Sequence, residues 1–191
     1  MTHPQIADYL GYLWDAFALS WLLSALAVKR TTRAEAHWIA ISRSILLGGF
    51  LYWLYVVPPH WHWLHARVVP DSATAEWMGL GVAVLGMLFA GWARFALGTN
   101  WSSRATIKQG HELIIRGPYR IVRNPIYTGI FFALLGTAIA LGQLRHFLGL
   151  PPVLAVWIWK IANEQRLLRA EFGDSYARYC REVKAFLPYL I

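Results

Sequence analysis

Acidic residues are scarce in this chain: 10 Asp and Glu stand against 18 Lys and Arg, all charged residues together reach only 15%, and there is one cysteine. So little charge beside 57% hydrophobic residues excludes an ordinary soluble domain, and 191 residues leave no room for two large ones. One membrane-embedded unit is the economical reading. The lone Cys180 excludes an internal disulfide and any multi-cysteine zinc set, and it reads as a bystander thiol. The N-terminus also lacks the layout of a cleavable signal. No Lys or Arg precedes the first apolar run and no small-residue cleavage site follows it before Lys29-Arg30, so that run is expected to be retained.

What the chain does have is long apolar runs. A helix needs about 20 mostly apolar residues to cross the hydrocarbon core, and five candidates approach this: Tyr9 to Val28, Trp38 to Val57, Glu76 to Leu97, Ile126 to Leu141 and Phe147 to Ala162. The last two are short and separated only by Gly142 to His146, which reads as a tight helical hairpin. Pro151-Pro152 is expected to kink the entry of the fifth or to shift its start a few residues on.

Cations near span ends stay on the cytoplasmic side. One set of segments holds Lys29, Arg30 and Arg33, then Arg104, Lys108, Arg116, Arg120 and Arg123, then Lys160, Arg166, Arg169, Arg178, Arg181 and Lys184. The opposite side has Arg67 and Arg145. The N-terminus is therefore expected outside and the C-terminus inside. The net charge of +8 follows from this asymmetry and from anionic headgroups, so it is no argument for nucleic acid.

Along the chain, His60, His62 and His65 lie among Trp61 and Trp63, where tryptophan usually anchors the headgroup region. No acidic or cysteine ligand accompanies them, and no metal site is expected. Gly79, Ala83, Gly86 and Ala90, with Gly81 and Gly91, allow close helix approach in the third span. Arg94, in the same span, reads as snorkelling to the interface or pairing with a cofactor group. Gly98 to Asn124 is long for a connection and reads as a structured binding loop. Beyond the fifth span, Leu167, Leu168, Phe172, Tyr176, Tyr179, Cys180 and Val183 recur at helical steps, interrupted at Gly173, after which Asp174 or Ser175 is expected to cap a second helix.

Two groups of residues carry chemistry. Lys160 and Glu164 share a helix face just where the fifth span leaves the membrane, beside Asn163. An ionisable pair there is costly unless partnered or used, and an interfacial salt bridge is the plainer alternative. Tyr119, Arg120, Arg123, Asn124 and Tyr127 fall within nine positions, where Pro118 and Pro125 push the residues before them toward extended backbone. That suggests a binding wall, with an ordinary basic flank and tyrosine belt as the plainer alternative.

From Gly98 to the C-terminus, a little under half of the chain, the sequence resembles the isoprenylcysteine carboxyl methyltransferase and phospholipid methyltransferase group of membrane enzymes. The resemblance rests on Gly117-Pro118-Tyr119, on Arg123-Asn124-Pro125-Ile126-Tyr127-Thr128-Gly129, on Asn163-Glu164, and on Phe172-Gly173-Asp174-Ser175-Tyr176-Ala177-Arg178-Tyr179. It implies an S-adenosylmethionine site built from His111, Glu112, Leu113, Ile114, Tyr119, Asn124, Pro125, Ile126, Tyr127 and Asn163, with Arg123, Lys160 and Glu164 as catalytic candidates. Asn124 stands where the family usually has histidine, and Asn163 where it has glutamate. An amide still donates and accepts hydrogen bonds, so these changes touch a titrating role more than cofactor binding. Lys184-Ala185 replaces a Pro-Arg common in the family near the C-terminus, which bears on the choice of acceptor.

The expectation is thus an all-α, multi-pass membrane protein with about five spans: helices 1 to 3 within residues 1–97, and a cytoplasm-facing catalytic region in residues 98–191. It would transfer a methyl group to a lipophilic acceptor entering from the bilayer, foremost an isoprenylcysteine-like carboxylate. A phospholipid amine acceptor, an NADPH-dependent membrane sterol-type reductase and a non-enzymatic scaffold stand as alternatives.

Overall fold

The computed structural model describes residues 4–25, 31–34, 48, 61–98, 106–108 and 113–186. The expected second span lies, Gly48 apart, outside them, as do His60, His111 and Glu112. The described chain is mostly helical: α1 (Pro4–Ala25), α2 (Ala73–Leu97), α3 (Pro125–Leu141), α4 (Leu144–Leu148) and α5 (Leu150–Glu182). One short ribbon is added, β1 (Thr31–Ala34) antiparallel to β2 (Thr106–Lys108), with Thr31 opposite Lys108 and Ala34 opposite Thr106. The partners are more than seventy positions apart in the sequence, so no local pattern announces the pairing.

The molecule is organised around the seam between α2 and α3. Gly79, Ala83, Gly86 and Ala90 of α2 recur at steps of four and three, and Gly129, Ala133, Gly136 and Ala140 of α3 do the same. The helices run antiparallel with backbones nearly touching: a Cβ on Gly86 would lie 2.5 Å from the Ala133 nitrogen and 2.6 Å from the Gly129 carbonyl oxygen. At the far end a Cβ on Gly79 would meet the Gly136 oxygen at 2.7 Å. Where lipid gives no hydrophobic drive for association, such close approach supplies the dispersion contacts. Gly81 and Gly91 lie off the seam, with nothing within 4 Å of an added Cβ.

Across one end of the seam lies α1, with Ile6 and Leu10 buried against Ala83 and Ala140 and the Trp14 indole donating to Thr137 Oγ1 at 3.1 Å. Arg94 is buried rather than extended to the interface. Its guanidinium donates to the Gly98 carbonyl at 2.8 Å and to the Ser24 carbonyl, closing the ends of α2 and α1 on each other.

Ser72 caps α2, accepting from the Ala75 N–H at 3.2 Å. At the opposite end of α3, Gly142 ends the helix in the left-handed region (φ 72°), and its carbonyl receives the Val68 N–H at 2.8 Å. The fifth apolar run starts later than Phe147. A five-residue α4 intervenes, and α5 begins at Leu150 with both prolines in its first turn, where a missing N–H costs nothing. It then continues for 33 residues, well past Ala162, with one non-helical residue, Gly173 (φ 49°, ψ −123°). The expected interruption is thus present at Gly173, where two helical stretches meet across a kink.

Outward, α2 presents Trp77, Met78, Leu85, Leu88, Trp92 and Phe95, all exposed. At 25 residues it is long and apolar enough to cross a membrane, the only such helix among the described residues. The 17 residues of α3 form a shorter apolar helix.

Candidate functional site

The first turn of α3 and the middle of α5 meet where the apolar part of α5 ends. Pro125 starts α3 with φ already suited to a helix and no N–H to satisfy, and this sets Tyr127 one turn inside. The Tyr127 hydroxyl donates to Glu164 Oε1 at 3.0 Å, and the same oxygen lies 3.6 Å from Lys160 Nζ. Lys160 Nζ also stands 4.9 Å from the centre of the Tyr127 ring, whose other neighbour is Trp157 at 5.6 Å. With 12% of its side chain exposed, Lys160 is held in a drier environment than an interfacial lysine. A carboxylate, an ammonium, a phenol and an indole are thereby gathered at one place.

Beneath this group lies the turn Gly117–Arg120, whose Tyr119 is buried. Burial, and then the nearby Tyr179 and Glu164, push the Tyr119 phenol far above its usual range, with Arg94 opposing. Tyr176 and Tyr179 are likewise raised by burial, and the Tyr179 hydroxyl donates to the Tyr119 carbonyl at 2.6 Å. Leu113 packs on the cluster formed by Tyr176, Tyr179 and Val183. Ile114 is half-buried beside it, as are Ile126 and Asn163 on their helices, and Pro125 is fully buried.

Arg123 and Asn124 face elsewhere than toward the Lys160–Glu164 pair. Arg123 Nη1 donates to the carbonyls of Cys180, at 2.9 Å, and Val183, closing the last turn of α5. The Asn124 amide donates to the Ala185 carbonyl at 2.7 Å, and the two backbone N–H groups reach Lys184 and Ala185 at 2.8 and 3.1 Å. Tyr119, Tyr127, Lys160 and Glu164 are thus brought together, while Arg123 and Asn124 hold the segment that follows α5. Trp157 was not singled out from the sequence. Its spacing of three from Lys160 and seven from Glu164 places it on their face and was the available signal.

The donor set suits a ligand that is itself mixed. S-adenosylmethionine carries an ammonium, a carboxylate, a ribose diol, a sulfonium and an adenine ring. The Tyr127 and Trp157 rings and the Lys160–Glu164 pair would offer such a group aromatic faces and charges of both signs.

Residues 74–175 match the phospholipid methyltransferase family. Among similar proteins, a protein-S-isoprenylcysteine O-methyltransferase of Schizosaccharomyces pombe is 32% identical over 57% of this chain and 48% of its own. The Homo sapiens protein of the same name is 27% identical over 93% and 66%, and methanethiol S-methyltransferase 2 of Bradyrhizobium diazoefficiens is 30% identical over 86% and 61%. A solved structure of the eukaryotic intramembrane Ras methyltransferase ICMT superimposes with a TM-score of 0.51 at 26% identity, covering 80% of this chain and 52% of that one. The chain spans about half to two thirds of the length of these relatives.

Proposed function

Because this chain belongs to the phospholipid methyltransferase family, we propose that it is an integral membrane methyltransferase that uses S-adenosylmethionine and acts on a lipophilic acceptor, foremost the carboxylate of an isoprenylcysteine-like compound. The observation that carries this reading is the meeting of Tyr127, Lys160 and Glu164 at the edge of the apolar part of α5. When bound, the donor supplies a methyl group already activated on sulfonium sulfur, so the protein's work is alignment and the exclusion of water. In this reading Lys160 orients an acceptor carboxylate, a group already nucleophilic at neutral pH. Glu164, fixed by the Tyr127 hydroxyl, keeps the ammonium from wandering. Tyr119, Leu113, Ile114, Asn163 and the first turn of α3 form the donor's wall, and the family resemblance adds His111 and Glu112, which lie outside the described residues.

A second acceptor reading rests on the likeness to a methanethiol S-methyltransferase over most of this chain and on the position of Glu164. Toward a thiol, the carboxylate would take the S–H proton as the new S–CH3 bond forms and the donor's methyl–sulfonium bond breaks, leaving the donor as a neutral thioether, and would then pass the proton to water. An amine acceptor would use it in the same way.

The exposed aromatic and aliphatic face of α2 supports burial in a bilayer. The site's end of the molecule carries the exposed Arg116, Arg120, Arg166, Arg169, Arg178, Arg181 and Lys184, and Arg67 and Arg145 lie near the other, which supports a cytoplasm-facing site. The test is equilibrium binding of radiolabelled S-adenosylmethionine to the detergent-purified chain, followed by methyl transfer to an N-acylated S-isoprenyl cysteine, a lipid amine and an alkane thiol. Folded protein that binds no donor, or that responds in thermal stability to NADPH instead, refutes the proposal. The acceptor that is methylated decides between the readings.

A further inference from the structure

We infer that Arg123 is a positioning residue that locks the segment after α5 onto the donor's wall, rather than a group that touches the methyl acceptor. The inference rests on the methyltransferase reading and adds to it. Seven of the ten expected donor contacts lie in the stretch from Leu113 to Thr128, Tyr119, Asn124 and Tyr127 among them. This same stretch is bound to residues 179–186 by a run of directed hydrogen bonds. Tyr179 reaches the Tyr119 carbonyl at 2.6 Å, the Arg123 N–H reaches the Lys184 carbonyl at 2.8 Å, the Asn124 amide reaches Ala185 at 2.7 Å, and Thr128 Oγ1 reaches Phe186 at 2.7 Å. Val122 and Lys184 pair as a single parallel bridge, and Phe186 packs edge-on to Phe131 at 5.6 Å.

At the centre is the Arg123 guanidinium, on the carbonyls of Cys180 and Val183. The final carbonyls of a helix have no partner within it, and a cation there satisfies them and complements the helix dipole. With one side-chain nitrogen on two of these carbonyls and its backbone N–H on a third residue, Arg123 fixes both where α5 ends and where the chain goes next. Remove it, and Tyr179 and Val183 lose the frame that holds Leu113 and Tyr119 in place.

The experiment uses the full chain in detergent and three substitutions: Arg123→Ala, Arg123→Lys and Thr128→Val. Affinity for S-adenosylhomocysteine, acceptor KM at saturating donor, and the rate of tryptic cleavage at the exposed Arg181 and Lys184 are measured for each. Arg123→Ala is expected to weaken S-adenosylhomocysteine binding about ten-fold, the equivalent of one charge-assisted hydrogen bond, and to speed cleavage, with acceptor KM unchanged. Thr128→Val, which leaves the guanidinium intact, is expected to move the same two quantities less, and Arg123→Lys to restore part of the affinity. If Arg123→Ala raises acceptor KM while leaving binding and cleavage as in the wild type, the inference is overturned and Arg123 contacts the acceptor. Wild-type protein that binds no S-adenosylhomocysteine defeats the methyltransferase reading itself, a result distinct from wild-type binding that Arg123→Ala leaves unchanged.

Discussion

At the scale of single residues, the Tyr127 hydroxyl and the Glu164 carboxylate have separable jobs. Tyr127→Phe keeps the ring that faces Trp157 and Lys160 and removes the hydroxyl that bonds Glu164 Oε1. It should cost about 1 kcal/mol of stability and lower kcat by roughly ten-fold, as a lost orienting bond does. Glu164→Gln removes the charge that holds Lys160. For a thiol or amine acceptor it should reduce kcat by on the order of a hundred-fold or more, whereas for a carboxylate acceptor the change should fall mainly on KM. Steady-state kinetics on both variants with each acceptor class check this.

His146 gives a pH prediction far from the site. Burial lowers its pKa from the usual 6.5 to about 4, with Arg145 and His65 adding to the effect and a bond with the Gln143 backbone opposing it. The unfolded chain takes up a proton near 6.5 and the folded chain only near 4, so stability is constant above about pH 6.5 and falls as pH drops through the window between the two values. The full loss is on the order of 3 kcal/mol, at 1.36 kcal/mol per unit. His146→Gln should flatten this acid limb in a thermal-melt series from pH 7 to pH 4. An unchanged slope counts against the assignment.

At the scale of elements, the seam of α2 and α3 makes a comparison within one helix. Gly86→Ala places a methyl 2.5 Å from a backbone nitrogen that cannot swing aside, so the helices must part. A loss of about 1–3 kcal/mol or more is expected. Gly81→Ala on the same helix meets nothing and should gain roughly 0.5–1 kcal/mol from helix propensity. Melting temperatures of the two variants in one detergent should move in opposite directions. This seam was legible in the sequence as small residues in a span, because their four-and-three spacing is local. The partner was not legible, since nothing in α2 names Gly129 or Gly136. The start of α5 was read only loosely for a related reason: prolines that break a helix interior are tolerated in a first turn, and composition alone does not say which turn is first. The Lys160–Glu164 pair was visible as an i, i+4 spacing, and Tyr127 as a residue beside a proline. Their junction depends on how α3 packs on α5, and the two helices are separated by a turn and by α4. Arg123 stands among the catalytic candidates in the sequence because a sequence shows the charge and not the carbonyls that receive it.

At the scale of the whole molecule, the orientation proposed from the exposed cations and the exposed face of α2 can be measured. From Trp77 to Trp92 is fifteen residues, about 22 Å of helix, with Met78, Leu85 and Leu88 exposed between them, which fits aromatic anchors near the two borders of a hydrocarbon layer. The Arg166 end then lies on the side that retains cations, and the Val68 end opposite it. Since the chain has a single cysteine, Cys180→Ser gives a background without thiols. In that background Arg166→Cys and Val68→Cys each place one thiol at an exposed position. In sealed, right-side-out membranes an impermeant maleimide should label Val68→Cys directly and Arg166→Cys only after permeabilisation. The reverse pattern would turn the molecule over and put the Tyr127–Glu164 site outside, away from the cytoplasmic supply of S-adenosylmethionine. Immediate labelling of both positions would mean that α2 and its neighbours do not separate two compartments. Only the first pattern gives Lys160 the proposed access to a cytoplasmic donor and a bilayer-borne acceptor together.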